Sequence, residues 1–85
     1  MMYYLYVLQD VADSSKFYLG YSSDLKRRLV QHNSGENAST RGRTWHVVYY
    51  EAYISDAVAK QREQKLKTNR RMRTLLMDRV KSQWE

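Results

Sequence analysis

A few residues in this sequence have types and spacings that could do chemistry. Tyr4 and Tyr6 alternate along an aromatic and β-branched run, and Tyr18 stands two positions before Gly20 in a second such run. Arg28 and His32 are four apart, and Glu63 is the only acid between Asp56 and Asp78. A lone carboxylate amid cations is what a single-metal phosphodiesterase needs, and a guanidinium held at a core boundary takes an anionic or aromatic partner, a phosphate among them. Each residue also has a plain structural reading. A tyrosine packs with its hydroxyl at a sheet edge, Arg28 forms an ion pair, and Glu63 pairs with Lys67 one helical turn on. Other chemistries lack their residues. With no Cys there is no disulfide framework, thiolate zinc site or cysteine nucleophile. His32 and His46 are too far apart for a local zinc motif, and no phosphate-cradling glycine loop or nucleophile elbow occurs.

The elements that must position these residues follow from periodicity and caps. Tyr3–Leu8 and Lys16–Tyr21 read as two strands of a hairpin joined by the polar stretch Gln9–Ser15. On one strand face lie Tyr4, Tyr6 and Leu8, and Tyr18 shares a face with Gly20 on the neighbour. A glycine inside a strand marks a bulge or a close approach. Ser22 and Ser23 offer N-caps to a helix over Asp24–Asn33 with Leu25 and Leu29 inward, and Gly35 sits where a left-handed terminating residue belongs. Residues 34–44 are small, polar and basic, a surface loop, and Trp45–Tyr53 is a third strand. Ser55 caps a second helix carrying Val58, Ala59, Arg62 and Leu66, and Asn69 caps a third in which Met72, Leu75, Leu76 and Val80 recur at i, i+3, i+4 and i+8, both helices amphipathic and basic. The order β-β-α-β-α-α predicts a small α+β domain with an antiparallel hairpin and helices packed on the sheet.

Eighty-five residues make one domain and leave no room for a second core. Hydrophobic residues at 42% and 11 aromatics are too many for a disordered chain. No apolar stretch approaches a membrane span and Met1–Leu8 has no basic leader, so the expectation is a cytoplasmic protein that does not engage membranes. Charge points to the partner. Lys and Arg balance Asp and Glu over residues 1–59, so the whole formal excess of +6 lies in residues 60–85. A polyanion is the inferred partner, with Arg27, Lys67, Arg70, Arg71 and Arg73 as the cations expected to touch nucleic acid.

Taken in order, these residues resemble the GIY-YIG nuclease domain. Tyr4-Leu5-Tyr6 is similar to its first signature and Tyr18-Leu19-Gly20 to its second. Asp24-Leu25-Lys26-Arg27-Arg28-Leu29, with His32, resembles its arginine helix, and Val48–Tyr53 followed by Ala59-x-x-x-Glu63-x-x-x-Lys67-Thr68 resembles the stretch that carries its acidic residue. The resemblance covers about residues 2–80, closest to small stand-alone bacterial members, and extends to the nuclease domain of the excinuclease C subunit and to homing endonucleases. It implies a three-stranded antiparallel sheet flanked by helices and a metal-dependent endonuclease that hydrolyses DNA phosphodiesters at a single-metal site. Glu63 would bind Mg²⁺ or Mn²⁺. Tyr6, with Tyr18, would orient or deprotonate the attacking water, Arg28 would neutralise charge on the scissile phosphate, and His32 would assist Tyr6 or contact the phosphate. Some positions depart from the common pattern. Tyr4 stands for Gly, Tyr21 follows Gly20 where repair members carry Lys, Asp24 replaces Asn, and Asn69-Arg70-Arg71 stands where related proteins turn with Gly.

Two further function classes stand beside the nuclease: a non-catalytic nucleic-acid binder that keeps the fold, and a protein-interaction module whose basic face meets an acidic protein. Metal dependence separates the first from both, and salt-sensitive affinity for nucleic acid separates the other two. The expected substrate is DNA, with RNA and branched DNA as variants. A chain of this size has no added DNA-reading domain, so selectivity would come from nucleic-acid shape or a partner protein.

Overall fold

The computed structural model describes residues 1–84. The elements are β1 (Tyr3–Asp10), β2 (Phe17–Ser22), α1 (Leu25–Asn33), β3 (Trp45–Tyr53), α2 (Asp56–Thr68) and α3 (Arg70–Ser82). The predicted order and the α+β class hold. The sheet is antiparallel with order β2-β1-β3, so β1 is central. That position explains why Leu5 to Leu8 is an unbroken run of buried residues: a strand covered on both faces gains nothing from a polar alternation.

One face of the sheet carries Leu5 and Val7 against Leu66 of α2 and Leu76 and Val80 of α3. The other carries Tyr6, Leu8 and Trp45 against Leu25 and Leu29 of α1. Fully burying one such aliphatic side chain contributes about 1.5–3 kcal/mol, so these two layers hold the helices in place. A register shift in the β1–β3 ladder pairs Val7 with Tyr49 and Leu8 with Val47, leaving Val48 as the extra residue of a bulge. The bulge changes the strand's parity. It lets Trp45 and Val47 face α1 and, beyond it, places Tyr50 opposite Tyr6 on that same side.

Several boundaries and faces differ from expectation. β1 runs on to Asp10 because Gln9 and Asp10 still pair with β3. β2 begins at Phe17 rather than Lys16 and extends to Ser22. α1 is capped by Asp24, whose carboxylate accepts the Arg27 N–H at 3.0 Å; Ser22 instead bonds the backbone of Asp24, so neither Ser22 nor Ser23 is the cap. Leu75 is 61% exposed and Val58 is 45% exposed, so neither faces the core. In α3 the inward stripe is Met72, Leu76 and Val80, because a helix resting on a sheet buries a narrower stripe than its apolar residues suggest. Ser55 and Asn69 cap α2 and α3 as predicted, and Gly35 has the expected positive φ of 81°. Asn69 does double work. Its backbone N–H bonds the Lys65 carbonyl at the end of α2, and its side chain accepts the Met72 N–H at the start of α3.

Candidate functional site

Tyr6 and Gly20 are direct cross-strand partners on β1 and β2. A Cβ at position 20 would overlap the Tyr6 hydroxyl and Cζ, so the missing side chain is the space through which the phenol crosses toward β2. A glycine inside a strand is expected to mark a bulge or the close approach of a backbone or ligand; here the space is filled instead by the Tyr6 side chain. At the far end of the ring the hydroxyl meets His32 Nε2 at 2.7 Å. His32 comes from α1, one turn beyond Arg28, and is fully buried.

The other ring nitrogen fixes the tautomer. His32 Nδ1 lies 2.7 Å from Thr40 Oγ1, and the Thr40 hydroxyl donates to the Asn37 carbonyl at 3.3 Å. Nδ1–H then donates to Thr40, and Nε2 accepts from the Tyr6 hydroxyl. Thr40 is itself fully buried, in a loop expected to lie on the surface, and its carbonyl accepts the Trp45 indole N–H at 3.0 Å. Asn33 closes the same loop by bonding both backbone groups of Trp45, at 2.7 and 3.0 Å. Sequence periodicity gives no signal for Thr40; only the closure of residues 34–44 over His32 brings it in.

Electrostatics keep this chain neutral. Burial pushes the Tyr6 hydroxyl up to about 12, with Arg28 pulling against the rise and Tyr18 and Glu63 adding to it. Burial, then the Arg28 charge, lowers His32 below the usual histidine value. At neutral pH the pair is phenol and imidazole, joined by one proton that can move from oxygen to Nε2. Tyr18 packs its ring on His32 at a centroid distance of 4.8 Å.

Arg28 is half-buried beside Tyr6. Its Nη1 donates to the neutral Gln31 Oε1 at 3.0 Å, and among the described residues it has no salt bridge, so the ion-pair reading of Arg28 is not what the structure holds. Glu63, on the inward stripe of α2 between Ala59 and Leu66, pairs with Lys67 at 3.5 Å and contributes its charge at Tyr6. That pairing is loose enough to leave carboxylate oxygens for another cation. Among the described residues no three His, Cys, Asp or Glu side chains come together. One carboxylate suits Mg²⁺, which keeps waters and takes one or two carboxylates plus phosphate oxygens; it does not suit a closed zinc site.

The structure therefore brings Tyr6, Tyr18, Arg28, His32 and Glu63 to one neighbourhood. The expected nucleic-acid cations divide differently. Arg27 is exposed on α1, and Arg70 and Arg71 are exposed at the start of α3. Lys67 holds Glu63, and Arg73 donates to the Leu66 and Lys67 carbonyls at 3.1 and 3.0 Å, capping the end of α2. Tyr21 donates to Asp56 of α2, and Lys60 sits 5.6 Å over its ring, so this departure from the common pattern docks α2 on β2. A second polar group lies outside the sequence motifs. Glu51 accepts from Arg62 Nε and Nη2, at 2.9 and 3.0 Å, and from the hydroxyls of Tyr49 and Tyr53. Burial raises Glu51, but these donors outweigh it and hold the carboxyl below its ordinary range.

A sequence model described as the GIY-YIG catalytic domain matches residues 2–75. A UPF0213 protein of Bacillus pumilus is 38% identical over 86 residues, spanning 98% of this chain and 86% of its own. Another, from Natronomonas pharaonis, is 41% identical over 68 residues, 78% of each chain. The solution NMR structure of a UPF0213 protein from Bacillus halodurans superimposes with a TM-score of 0.52 and 32% identity, covering 91% of this chain and 84% of that one. None of these relatives' names states a reaction.

Proposed function

From the premise that this chain belongs to the GIY-YIG family, we propose that it is a nucleic-acid-binding protein that seats a backbone phosphate on Arg28, at the edge of the buried Tyr6–His32 pair. The observation that carries this reading is Arg28: a half-buried guanidinium without a carboxylate partner among the described residues, next to a phenol that can donate or accept. A half-buried fork of N–H donors prefers a phosphate to the neutral Gln31 amide and Tyr6 phenol beside it. Family membership supports nucleic acid as the class of ligand, and the excess positive charge of residues 60–85 agrees with it.

A second reading, hydrolysis of the bound phosphodiester, is favoured by the Tyr6–His32–Thr40 chain, since a binder needs no buried proton acceptor behind its phenol. Glu63 would hold Mg²⁺ or Mn²⁺, which when bound supplies Lewis acidity toward a phosphate oxygen. In this reading the Tyr6 oxygen takes a proton from the attacking water as its own proton passes to His32 Nε2. Thr40 keeps His32 in the tautomer that leaves Nε2 free to receive it. Arg28 opposes the charge that grows on the phosphate, and the Tyr18 ring keeps water off the imidazole.

The two readings separate in one experiment. Labelled duplex, flapped, branched and single-stranded DNA, and RNA, are incubated with Mg²⁺, Mn²⁺ or EDTA and scored for both binding and cleavage. The binding reading expects salt-sensitive affinity that Arg28→Ala weakens. The hydrolytic reading further expects metal-dependent cleavage that Glu63→Ala and Tyr6→Phe abolish. Binding without any cleavage leaves the first reading and removes the second; no binding removes both.

A further inference from the structure

Beside the Tyr6 site lies an open groove of about 630 Å³ between the start of α1 and the sheet, floored by Tyr4, Tyr50, Leu25 and Val47 and edged by Lys26 and Arg27. Tyr50 is 57% exposed, although it faces the α1 side of the sheet, where a large aromatic would ordinarily be covered. It stays open because α1 starts only at Leu25 and runs for nine residues, over the Trp45 end of β3. Tyr4 meets the Tyr50 ring at 5.8 Å with an interplanar angle of 70°, an edge-to-face contact that holds Tyr50 in place. The rim is positive. Among the described residues Lys26 and Arg27 have no salt bridge, so two cations face the one carboxylate on the lining, Asp24, which accepts the backbone N–H of Arg27.

Resting on the nucleic-acid reading above, we infer that this groove takes an unpaired nucleobase, stacked on Tyr50, from a single strand whose backbone passes Lys26 and Arg27 on its way to Arg28. Two observations and one general property of duplexes point to that occupant. Aromatic floor and cationic rim together are the pairing that single strands require, since bases stack and phosphates need neutralising. Tyr50 is the direct cross-strand partner of Tyr6, so the groove opens on the same face of the sheet as the Tyr6 side chain. In a duplex the bases are already stacked on each other and present no free face to Tyr50. The substrate class is therefore a strand that is single at this point: a free strand, a flap or a loop, of DNA or RNA.

The test uses fluorescence anisotropy with a labelled twelve-nucleotide strand, as DNA and as RNA, and the matching blunt duplex. Wild type is compared with Tyr50→Ala and Tyr50→Phe, both at an exposed position. Tyr50→Ala is expected to weaken single-strand binding about tenfold while changing duplex binding little, and Tyr50→Phe is expected to restore it, because the ring and not the hydroxyl makes the stack. A 2-aminopurine in the strand is expected to change its fluorescence on binding wild type and Tyr50→Phe, and to stay unchanged with Tyr50→Ala. Whichever strand, DNA or RNA, shows the tenfold loss identifies the source. If wild type binds single strands but Tyr50→Ala binds them equally well, the groove proposal is overturned and the phosphate site stands. If wild type binds no nucleic acid at all, the parent reading fails with it.

Discussion

Gly20 stands directly across the β1–β2 ladder from Tyr6, and the Tyr6 ring occupies the volume that a side chain at 20 would need. Gly20→Ala is therefore expected to cost about 1–3 kcal/mol, as overpacking does. Thermal melts would show it. The cost should shrink in a Tyr6→Ala background, where the obstruction is gone, and a double-mutant cycle reads the coupling. Equal costs in both backgrounds would place the clash elsewhere.

The Tyr6 hydroxyl adds an alkaline limit to stability. Its folded value is raised to about 12 against an ordinary 10, so the folded state keeps a proton that the unfolded chain gives up. Its contribution is complete below pH 10 and is lost as pH rises from 10 through 12. Tyr53 is raised to about 12 as well, so the difference between wild type and Tyr6→Phe isolates Tyr6. Denaturant midpoints of the two proteins should converge across that window.

At the acid end His32 acts with the opposite charge logic. Burial and Arg28 lower it, so protonation favours the unfolded chain. The contribution is present above the ordinary histidine value of about 6.5 and is lost as pH falls below it toward the folded value. Thr40→Val leaves the buried Nδ1–H without its acceptor and should cost about 1–3 kcal/mol at pH 7. Ring-proton NMR would report both the lowered titration and its change in Thr40→Val.

How far these groups could be read from sequence depends on the distance over which their partners act. Tyr6, Gly20, Arg28 and His32 are tied by strand alternation and one helical turn, patterns that survive folding unchanged. Alternation sets the faces of Tyr6 and Gly20 and the helical repeat sets Arg28 beside His32, whereas the meeting of His32 with Tyr6 is what the family resemblance implies. Thr40 lies in a polar loop with no period, and it enters the site only because Asn33 pins Trp45 and folds the loop over His32. Tyr50 was hidden by the bulge at Val48, which switches the strand's parity. Glu51 and Arg62 lie on different elements, and no local rule joins a strand carboxylate to a helix guanidinium. Leu75 shows the reverse error: helical periodicity includes it in the apolar stripe, and the packing of α3 on the sheet leaves it outside.

Glu51 and Arg62 join β3 to α2 on the face away from the Tyr6 site. Glu51→Gln leaves a half-buried guanidinium without its anion and should cost about 1–3 kcal/mol at neutral pH. The loss should fade in acid. Because the Glu51 carboxyl is held below its ordinary value, its contribution is present above about pH 4.5 and is lost as pH falls through the folded value. Wild-type and Glu51→Gln midpoints compared at pH 7 and pH 3 would check both statements.

The most direct test of the central claim is an amide NMR titration of the uniformly ¹⁵N-labelled protein with a short DNA, repeated at two salt concentrations. The account predicts salt-sensitive shifts concentrated at Tyr6, Gly20, Arg28, His32 and Glu63, lost in Arg28→Ala while the spectrum remains that of a folded protein. Shifts confined to the exposed cations of α3, or none at low salt, would contradict it.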